Sequence, residues 1–457
     1  MSAAGYDVAV IGGGIVGTAI TRELVRHGVD VALIEAAADV GAGTTKANTA
    51  IWHTGFDAKP GTLEAQLVRR GYERLTVDGP ELGIPLWRTG ALLVAWDDAQ
   101  LASFDEVRTK AAANGYERCR QLDAAELYAR EPHLGPGALG AVEVPDEGLL
   151  CPFTMPIAFA TQALAGGAAL LLDTRVTAAS TAAGRHRLQT SNGEITARYV
   201  VNAAGVMSDH VNRMFGHDGF TVTPRRGQLL VFDKLAGGLL DHVLLPIPTA
   251  RTKGMLVAPT VYGNVLVGPT AEDLDDRRAT ATTAAGHEAL HAWAAKVLPA
   301  LTDEDVTAAY AGLRAATEHS DYQLFADAAG YVCAGGVRST GLSSCLAIAE
   351  HVVGLLDEAG LRVGAARDLP EITVAYLGAD RPRPCTVPAL VAANPQFGRV
   401  VCHCEQVSEA ELRDALDGPL PAVDVDGLRR RTRVGQGRCQ GFYCGARVEQ
   451  ILADARR

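Results

Sequence analysis

No run in this 457-residue sequence is apolar for long enough to span a bilayer, and the strongest apolar stretches, such as residues 8–15, are short and carry glycines. The opening Met-Ser-Ala-Ala-Gly-Tyr-Asp has no basic segment leading into an apolar one, so no export signal is read. A cytoplasmic protein is expected, one that meets a membrane only through a partner. A basic surface is also missing. The formal charge is -11 at pH 7, which argues against nucleic acid, because neutralising phosphates needs a surplus of Lys and Arg. No internal repeat or low-complexity tract is visible, so a repeat-built array is not expected. What remains is ordinary for a globular enzyme, 48% hydrophobic and 21% charged, and too long for one hydrophobic core. Two or three domains are expected.

Cysteine is sparse until the end of the chain. Cys119, Cys151, Cys333, Cys345 and Cys385 lie scattered and read as isolated thiols, Cys333 and Cys345 as buried ones. The other four crowd into Cys402-His403-Cys404 and Cys439-Gln440-Gly441-Phe442-Tyr443-Cys444. Two tight pairs without an export signal point to a metal or iron–sulfur centre rather than to disulfides. Thiolate sulfur is soft and suits both zinc and iron–sulfur clusters. The spacing, one residue inside the first pair and four inside the second, is unlike the paired Cys-x-x-Cys of a zinc ribbon. On the residues alone an iron–sulfur cluster, zinc and free redox thiols all stay open. Residues 376–398, rich in Gly, Pro, Arg and Asn, read as a linker. Residues 399–457 then form a small unit of a size that gains much from a metal or cluster staple. The run Arg429 to Arg433 either steadies an anionic cluster or meets an acidic partner, with a solvated charge run as the plain alternative.

The opposite end has a different signature. Residues 6–11 form an apolar strand, Gly12-x-Gly14-x-x-Gly17 turns the chain, residues 18–27 have helical spacing, Gly28 ends them, and 29–34 form a second strand closed by Glu35. Each glycine has a use: Gly12 for the tight turn, Gly14 for close approach of a pyrophosphate, Gly17 for helix–strand packing. The helix N-terminus offers unpaired amides and a positive dipole end, and Glu35 is placed to accept hydrogen bonds from ribose hydroxyls. A dinucleotide site is expected. Two later segments favour FAD over NAD. The strand 199–205 stops in Asn202-Ala203-Ala204-Gly205, small residues that allow close passage of a flavin nucleotide, and Gly335-Gly336-Val337-Arg338-Ser339-Thr340-Gly341-Leu342-Ser343 is a glycine-bracketed turn into a helix.

Gly12 to Gly17, Val201 to Gly205 and Gly335 to Leu342 together resemble the FAD-dependent family of glycerol-3-phosphate dehydrogenases and D-amino-acid oxidases, over about the first 375 residues. The likeness is narrower to the glycerol-3-phosphate-oxidase-like branch, carried by Asn48-Thr49-Ala50-Ile51-Trp52-His53-Thr54-Gly55-Phe56-Asp57 and Thr252-Lys253-Gly254-Met255-Leu256-Val257-Ala258-Pro259-Thr260. Gly263-Asn264-Val265-Leu266-Val267-Gly268-Pro269-Thr270 and Ala311-Gly312-Leu313-Arg314 agree as well. The resemblance implies an α/β fold, with a Rossmann-like FAD-binding domain, an inserted antiparallel-sheet substrate domain and a small α-rich C-terminal cluster domain. The FAD-binding parts are expected at about 1–85, 145–215 and 325–375, and the substrate-domain parts at about 86–144 and 216–324. It also implies that Thr45, Asn48, Val176, Ala204, Gly205, Gly336, Arg338, Gly341, Leu342 and Ser343 join Gly12, Gly14, Gly17 and Glu35 around FAD.

Flavin oxidation of a secondary alcohol needs a base for the hydroxyl proton, a hydride path and cations for the substrate's anionic end. An imidazole titrates near working pH, and by resemblance His53 is that base. Lys253 and Arg314 match positions that grip the substrate's phosphate or carboxylate, as a point charge and a bidentate fork respectively. Ser343 matches a hydroxyl near substrate and flavin. Arg338 departs from the family pattern, and implies either a more acidic substrate or a contact with FAD itself. Arg431 to Cys444, with Val401 to Glu405, resembles the bacterioferritin-associated-ferredoxin-like [2Fe–2S] domain at the C-terminus of anaerobic glycerol-3-phosphate dehydrogenase large subunits. Cys402, Cys404, Cys439 and Cys444 are the implied ligands.

The expected protein is therefore an FAD-dependent dehydrogenase. Hydride passes from a small anionic alcohol, glycerol 3-phosphate first and 2-hydroxyglutarate second, and electrons leave through the cluster. The expected recipient is a protein subunit or a quinone-linked acceptor within a hetero-oligomer. The competing expectation is a flavin- and cluster-carrying assembly subunit without turnover of its own.

Overall fold

The computed structural model describes residues 4–182, 184–248 and 254–456. Strand β1 (Ala4–Ile11) lies at the centre of an eight-stranded sheet, parallel to β2 (Val31–Ile34) on one side and to Gly193–Asn202 on the other. Val8 to Ile11 and all four residues of β2 are buried, as continuous apolar strands covered on both faces should be. Tyr331–Gly335 adds to Gly193–Asn202 in parallel. Helix α1 (Ile15–Arg26) packs on the helices Thr154–Ala165 and Gly341–Glu358, and the latter also carries α2 (Leu63–Glu81). This layer holds the largest apolar core.

The helix after the glycine turn starts at Ile15, earlier than its spacing suggested, because Gly14 is still extended and serves as N-cap, so Gly17 sits inside the first turn. The strand expected over 199–205 runs instead from Gly193 to Asn202. It stops where the Asn202 side chain turns to donate to Ser208 O at 2.7 Å and to the Tyr331 hydroxyl at 2.8 Å.

A second sheet of nine strands takes its members from Ala91–Ala95, Arg120–Asp123 and Gly140–Val144, and from strands between Val222 and Thr317. It is antiparallel except for one parallel pair, Val243–Pro246 with Ala91–Ala95. Its longest pairing joins Val222–Phe232 to Val306–Thr317 and sets Arg225 opposite Arg314.

Between 376 and 398 the chain makes a helix, Pro388–Ala393, flanked by short turns at Pro384–Thr386 and Pro395–Gly398. Each begins at a proline, whose missing N–H costs nothing at a first helical position. The end of the chain folds on its own small core, with the helices Glu409–Asp417, Val425–Thr432 and Gly445–Ala455 around Val407, Leu412, Leu428, Val448 and Ile451. Ser408 and Glu411 start the first of these with a reciprocal capping box. Among the described residues no helix is long and apolar enough to cross a membrane.

Candidate active site and cluster centre

The glycine turn is built so that two of its three positions exclude any side chain. A Cβ on Gly12 would sit 2.4 Å from Ala203 O, and Gly12 has φ +110. A Cβ on Gly17 would sit 1.8 Å from Gly12 O. Gly14 is less confined: its Cβ would meet only Thr45 Oγ1, at 3.3 Å. Thr45 Oγ1 accepts from Ile15 N at 3.0 Å, tying the turn to the 44–50 segment. Glu35 accepts from Gly13 N at 2.5 Å and Ala37 N at 2.7 Å. Val176 packs in the same apolar cluster as Ile34, and Thr174 N donates to Glu35 O, so both lie at the carboxyl end of β2. Ala204 and Gly205 follow directly on Ala203, which roofs Gly12.

A second helix N-terminus faces the same region. Gly341–Glu358 has no side-chain cap, and Leu342 and Ser343 are buried in its first turn. Gly336 (φ +66) makes the preceding bend. Arg338 donates to Glu64 Oε2 at 3.2 Å and Ser320 O at 2.7 Å, so it is held by α2 and the 320 loop.

The segment 44–54 joins these parts. Asn48 clamps it, donating to Thr45 O at 2.7 Å and accepting from Ala50 N at 2.8 Å. Ala50 takes φ 57, a left-handed value that costs a non-glycine residue energy and recurs where function demands a set geometry. Strand β3 (Ile51–Trp52) follows, and then His53, whose backbone N donates to Ser343 Oγ at 2.8 Å. The His53 Nδ1 atom is 3.2 Å from the Glu147 carboxylate. From the other side, Thr44 Oγ1 donates to Leu313 O at 2.7 Å, and a Cβ on Gly312 would strike Ala47 O at 1.9 Å. Arg314 follows directly on these two contacts. Its guanidinium donates to Thr270 O at 3.4 Å and meets no carboxylate among the described residues. Burial, with Arg225 adding, lowers its pKa to about 10, so it stays charged at neutral pH. Lys253 lies outside the described residues.

The four C-terminal thiols come together in two couples. Cys404 and Cys439 lie close enough to shift each other's titration, and Cys402 lies close enough to shift that of Cys444. Burial, then Cys402, pushes the Cys444 thiol up to about 11. The Cys439 thiol is held below its ordinary value by the Tyr443 backbone N–H, the Cys404 thiol and the backbone N–H groups of Gly441 and Phe442. The loop is tightly bent. Gln440 and Gly441 both have positive φ, and a Cβ on Gly437 would lie 2.3 Å from Cys404 Cβ. Among the described residues no three His, Cys, Asp or Glu side chains converge as a single-ion site.

The basic run 429–433 is not a solvated face. Arg430, Arg431 and Arg433 are buried and meet acids of the same chain. Arg430 reaches Asp39 at 2.5 Å and Arg431 at 2.7 Å, across 391 and 392 residues of sequence. Arg433 bonds Glu405 at 2.8 Å and lies 3.9 Å from the Tyr262 ring. Lys234 meets the same Glu405 at 2.9 Å, Lys46 meets Asp426 at 2.7 Å, and Arg438 meets Asp233 at 2.6 Å. The cysteine unit is thus bonded both to the glycine-turn sheet and to the nine-stranded one.

Residues 7–355 match the family described as FAD dependent oxidoreductase. The chain belongs to it. Residues 400–454 match the BFD-like [2Fe-2S] binding domain, so this FAD-dependent oxidoreductase carries an iron–sulfur domain at its end. The glycerol 3-phosphate dehydrogenase of Caloramator mitchellensis is 35% identical over 98% of this chain and 94% of its own length. One subunit of the anaerobic glycerol-3-phosphate dehydrogenase of Escherichia coli (strain K12) is 25% identical over 98% of this chain and 88% of its own. Among solved structures, dithionite-reduced L-α-glycerophosphate oxidase of Mycoplasma pneumoniae with FAD bound aligns at a TM-score of 0.73 and 26% identity, covering 80% of this chain and 96% of that one.

The residues present fit both groups. For FAD there is a side-chain-free turn at Gly12 and Gly17, a carboxylate at the end of β2 and two helix N-termini without side-chain caps of their own. For the cluster there are four neighbouring thiols with backbone N–H groups aimed at one sulfur, the kind of donor that steadies thiolate charge. Gly17→Val is expected to give protein that purifies without its yellow chromophore, since its side chain would enter the space of Gly12 O. FAD released by heat, measured by fluorescence, checks this; a full complement would contradict it.

Two residues of this arrangement carry no motif, Glu147 and Asp39. Each earns its place only through a partner far away in sequence.

Proposed function

We propose that this enzyme oxidises the secondary alcohol of a small substrate with one anionic end, glycerol 3-phosphate being the first choice. FAD supplies the two-electron acceptor for the hydride, and the [2Fe–2S] centre supplies a one-electron exit. The observation that carries the reading is Arg314, a desolvated guanidinium with no carboxylate partner among the described residues, on a strand bonded to the segment that leads into His53. A half-buried, partly desolvated charge without a carboxylate partner is eased by binding an anion. Arg314 binds the phosphate in this scheme, with Lys253 as second anchor. His53 takes the carbinol proton, and Ser343 holds the His53 backbone in place. Arg338, already held by Glu64 and Ser320 O, adds no further anion anchor, which favours glycerol 3-phosphate over a dicarboxylate such as 2-hydroxyglutarate.

In this reading the nine-stranded sheet, about 86–144 and 216–324, covers the substrate. The parts at about 1–85, 145–215 and 325–375 hold FAD, 376–398 joins, and 399–457 holds the cluster on Cys402, Cys404, Cys439 and Cys444. Phe442 and Tyr443, 84% and 79% exposed in the loop between two of these cysteines, offer an aromatic surface to an electron-accepting subunit or quinone-linked acceptor of a hetero-oligomer.

The test is anaerobic mixing of the oxidised protein with glycerol 3-phosphate and, separately, with 2-hydroxyglutarate. Glycerol 3-phosphate is expected to bleach the flavin, and His53→Ala to slow bleaching at least about 100-fold with FAD retained. Bleaching by dithionite but by neither substrate would sink the reading and leave the alternative, an assembly component without turnover of its own.

A further inference from the structure

We infer that Glu147 is a positioning residue for His53, fixing which imidazole nitrogen faces the substrate and steadying the charge that forms there. The inference rests on His53 being the base, and goes beyond it by assigning a role to a carboxylate that no motif marks.

Glu147 is fully buried, and a desolvated carboxylate persists only when its lone pairs are met. One oxygen, Oε1, is filled by Thr54, which donates from its backbone N at 2.7 Å and from its hydroxyl at 2.8 Å. The other, Oε2, receives no hydrogen bond from any other described residue, and lies 3.2 Å from His53 Nδ1. The two atoms stand off the line of a good hydrogen bond, as base–orienter pairs often do before substrate tightens them.

Backbone register sets this pairing, not side-chain flexibility. The strand Gly148–Leu150 pairs with β3, with Trp52 opposite Gly148, so the residue before one strand and the residue after the other are neighbours by construction. Those residues are Glu147 and His53. Gly148 can carry no side chain here, since a Cβ would lie 2.3 Å from Trp87 O. Glu147 O accepts from Gly90 N at 2.9 Å and its N donates to Val144 O at 3.3 Å, which holds the turn itself.

Other charged and titratable groups surround the pair without satisfying Oε2. Tyr72 and Arg88 come from α2 and the strand end beside it, with Arg88 over the Trp52 ring at 5.4 Å and the Tyr72 hydroxyl donating to Asp146 O at 2.8 Å. The Asp146 carboxylate is taken by Tyr116 at 2.9 Å and Arg118 at 2.6 Å. Cys119 also feels the Glu147 charge, and burial raises that thiol to about 11.

The chemistry follows from the geometry. A carboxylate at Nδ1 holds the proton on that nitrogen, so Nε2 keeps its lone pair for the carbinol proton. When Nε2 takes that proton the imidazolium is stabilised by the carboxylate beside it. No oxidation state changes in this step: the O–H bond of the alcohol breaks with its electron pair left on oxygen, and the Nε2 lone pair forms the N–H bond.

The experiment is the pH dependence of anaerobic flavin bleaching by glycerol 3-phosphate in wild type, Glu147→Gln, Glu147→Asp and His53→Asn, with the His53 imidazole resonance followed by NMR in the oxidised protein without substrate. Glu147→Gln is expected to cut the bleaching rate about 100- to 10,000-fold. It should also move the acid limb and the His53 titration down by about one pH unit or more, because the imidazolium loses its counter-charge. The KM and FAD content should stay within about threefold of wild type, a small change beside the tenfold that 1.4 kcal/mol would bring. Glu147→Asp should restore part of the rate and of the titration shift. A slowed Glu147→Gln with an unmoved acid limb and unmoved resonance would overturn the inference and leave Glu147 a packing residue. If His53→Asn kept the wild-type rate and limb, the base reading itself would fall, and the inference with it.

Discussion

Arg314→Met is expected to lower kcat/KM for glycerol 3-phosphate by about 30- to 4,000-fold, chiefly through KM, while FAD content and thermal stability hold. The size follows from what the guanidinium faces. It is half-buried, has no acid of its own among the described residues, and its pKa is lowered to about 10 by desolvation and by Arg225. Removing one partner of a desolvated charge pair costs about 2–5 kcal/mol, much of it the cost of leaving the other charge unmet. Stability should not fall, because in the substrate-free protein Arg314 is itself the unpaired charge. Arg314→Lys should recover part of the loss, since a point charge replaces the fork. Steady-state kinetics of the two variants decide it, and an unchanged KM would remove Arg314 from the site.

The second large effect is on stability. Asp39→Asn is expected to cost about 3–5 kcal/mol, because Arg430 and Arg431 would both lose the carboxylate that neutralises them while remaining buried. That is a large share of the roughly 5–15 kcal/mol a domain commonly has. The damage should concentrate at the joint between the cysteine unit and the glycine-turn sheet, so limited proteolysis should release the 399–457 unit before the rest is cut. The same carboxylate gives a pH dependence. Burial works to raise its pKa, but hydrogen bonds and charges from Arg431 and Arg430 outweigh that and hold it below the ordinary value. Its contribution is therefore fully present above the unfolded pKa of about 3.9 and is lost as pH falls from there through the depressed folded value. Chemical denaturation of wild type and variant from neutral pH downward should show the gap closing in acid. A variant as stable as wild type at pH 7 would refute the role of this pair.

What the sequence made legible was whatever backbone geometry alone demands. Gly12 and Gly17 sit where no Cβ fits, and such a requirement leaves a local, readable spacing. The four cysteines were legible for a similar reason: a soft donor is rare enough elsewhere in the chain to stand out. The run 429–433 shows the limit. Its charge is visible, but whether it faces water or an acid depends on Asp39, 391 residues away. Glu147 is the plainer case. It stands among ordinary turn residues, Pro145-Asp146-Glu147-Gly148, and gains its meaning from a strand pairing that brings it beside His53. Arg338 was visible as a departure from the family pattern, but its partners Glu64 and Ser320 come from separate parts of the chain.

The proposed function turns on electrons passing from substrate through one chain to its terminal sulfurs. Protein purified without oxygen, assayed for iron and labile sulfide and then titrated anaerobically with glycerol 3-phosphate under combined visible and electron-paramagnetic-resonance observation, tests this directly. The expected result is iron and sulfide each at twice the flavin, with a reduced-cluster resonance growing in as the flavin absorbance falls. Zinc or bare thiols at Cys402, Cys404, Cys439 and Cys444, or a cluster that stays oxidised beside a fully bleached flavin, would contradict it.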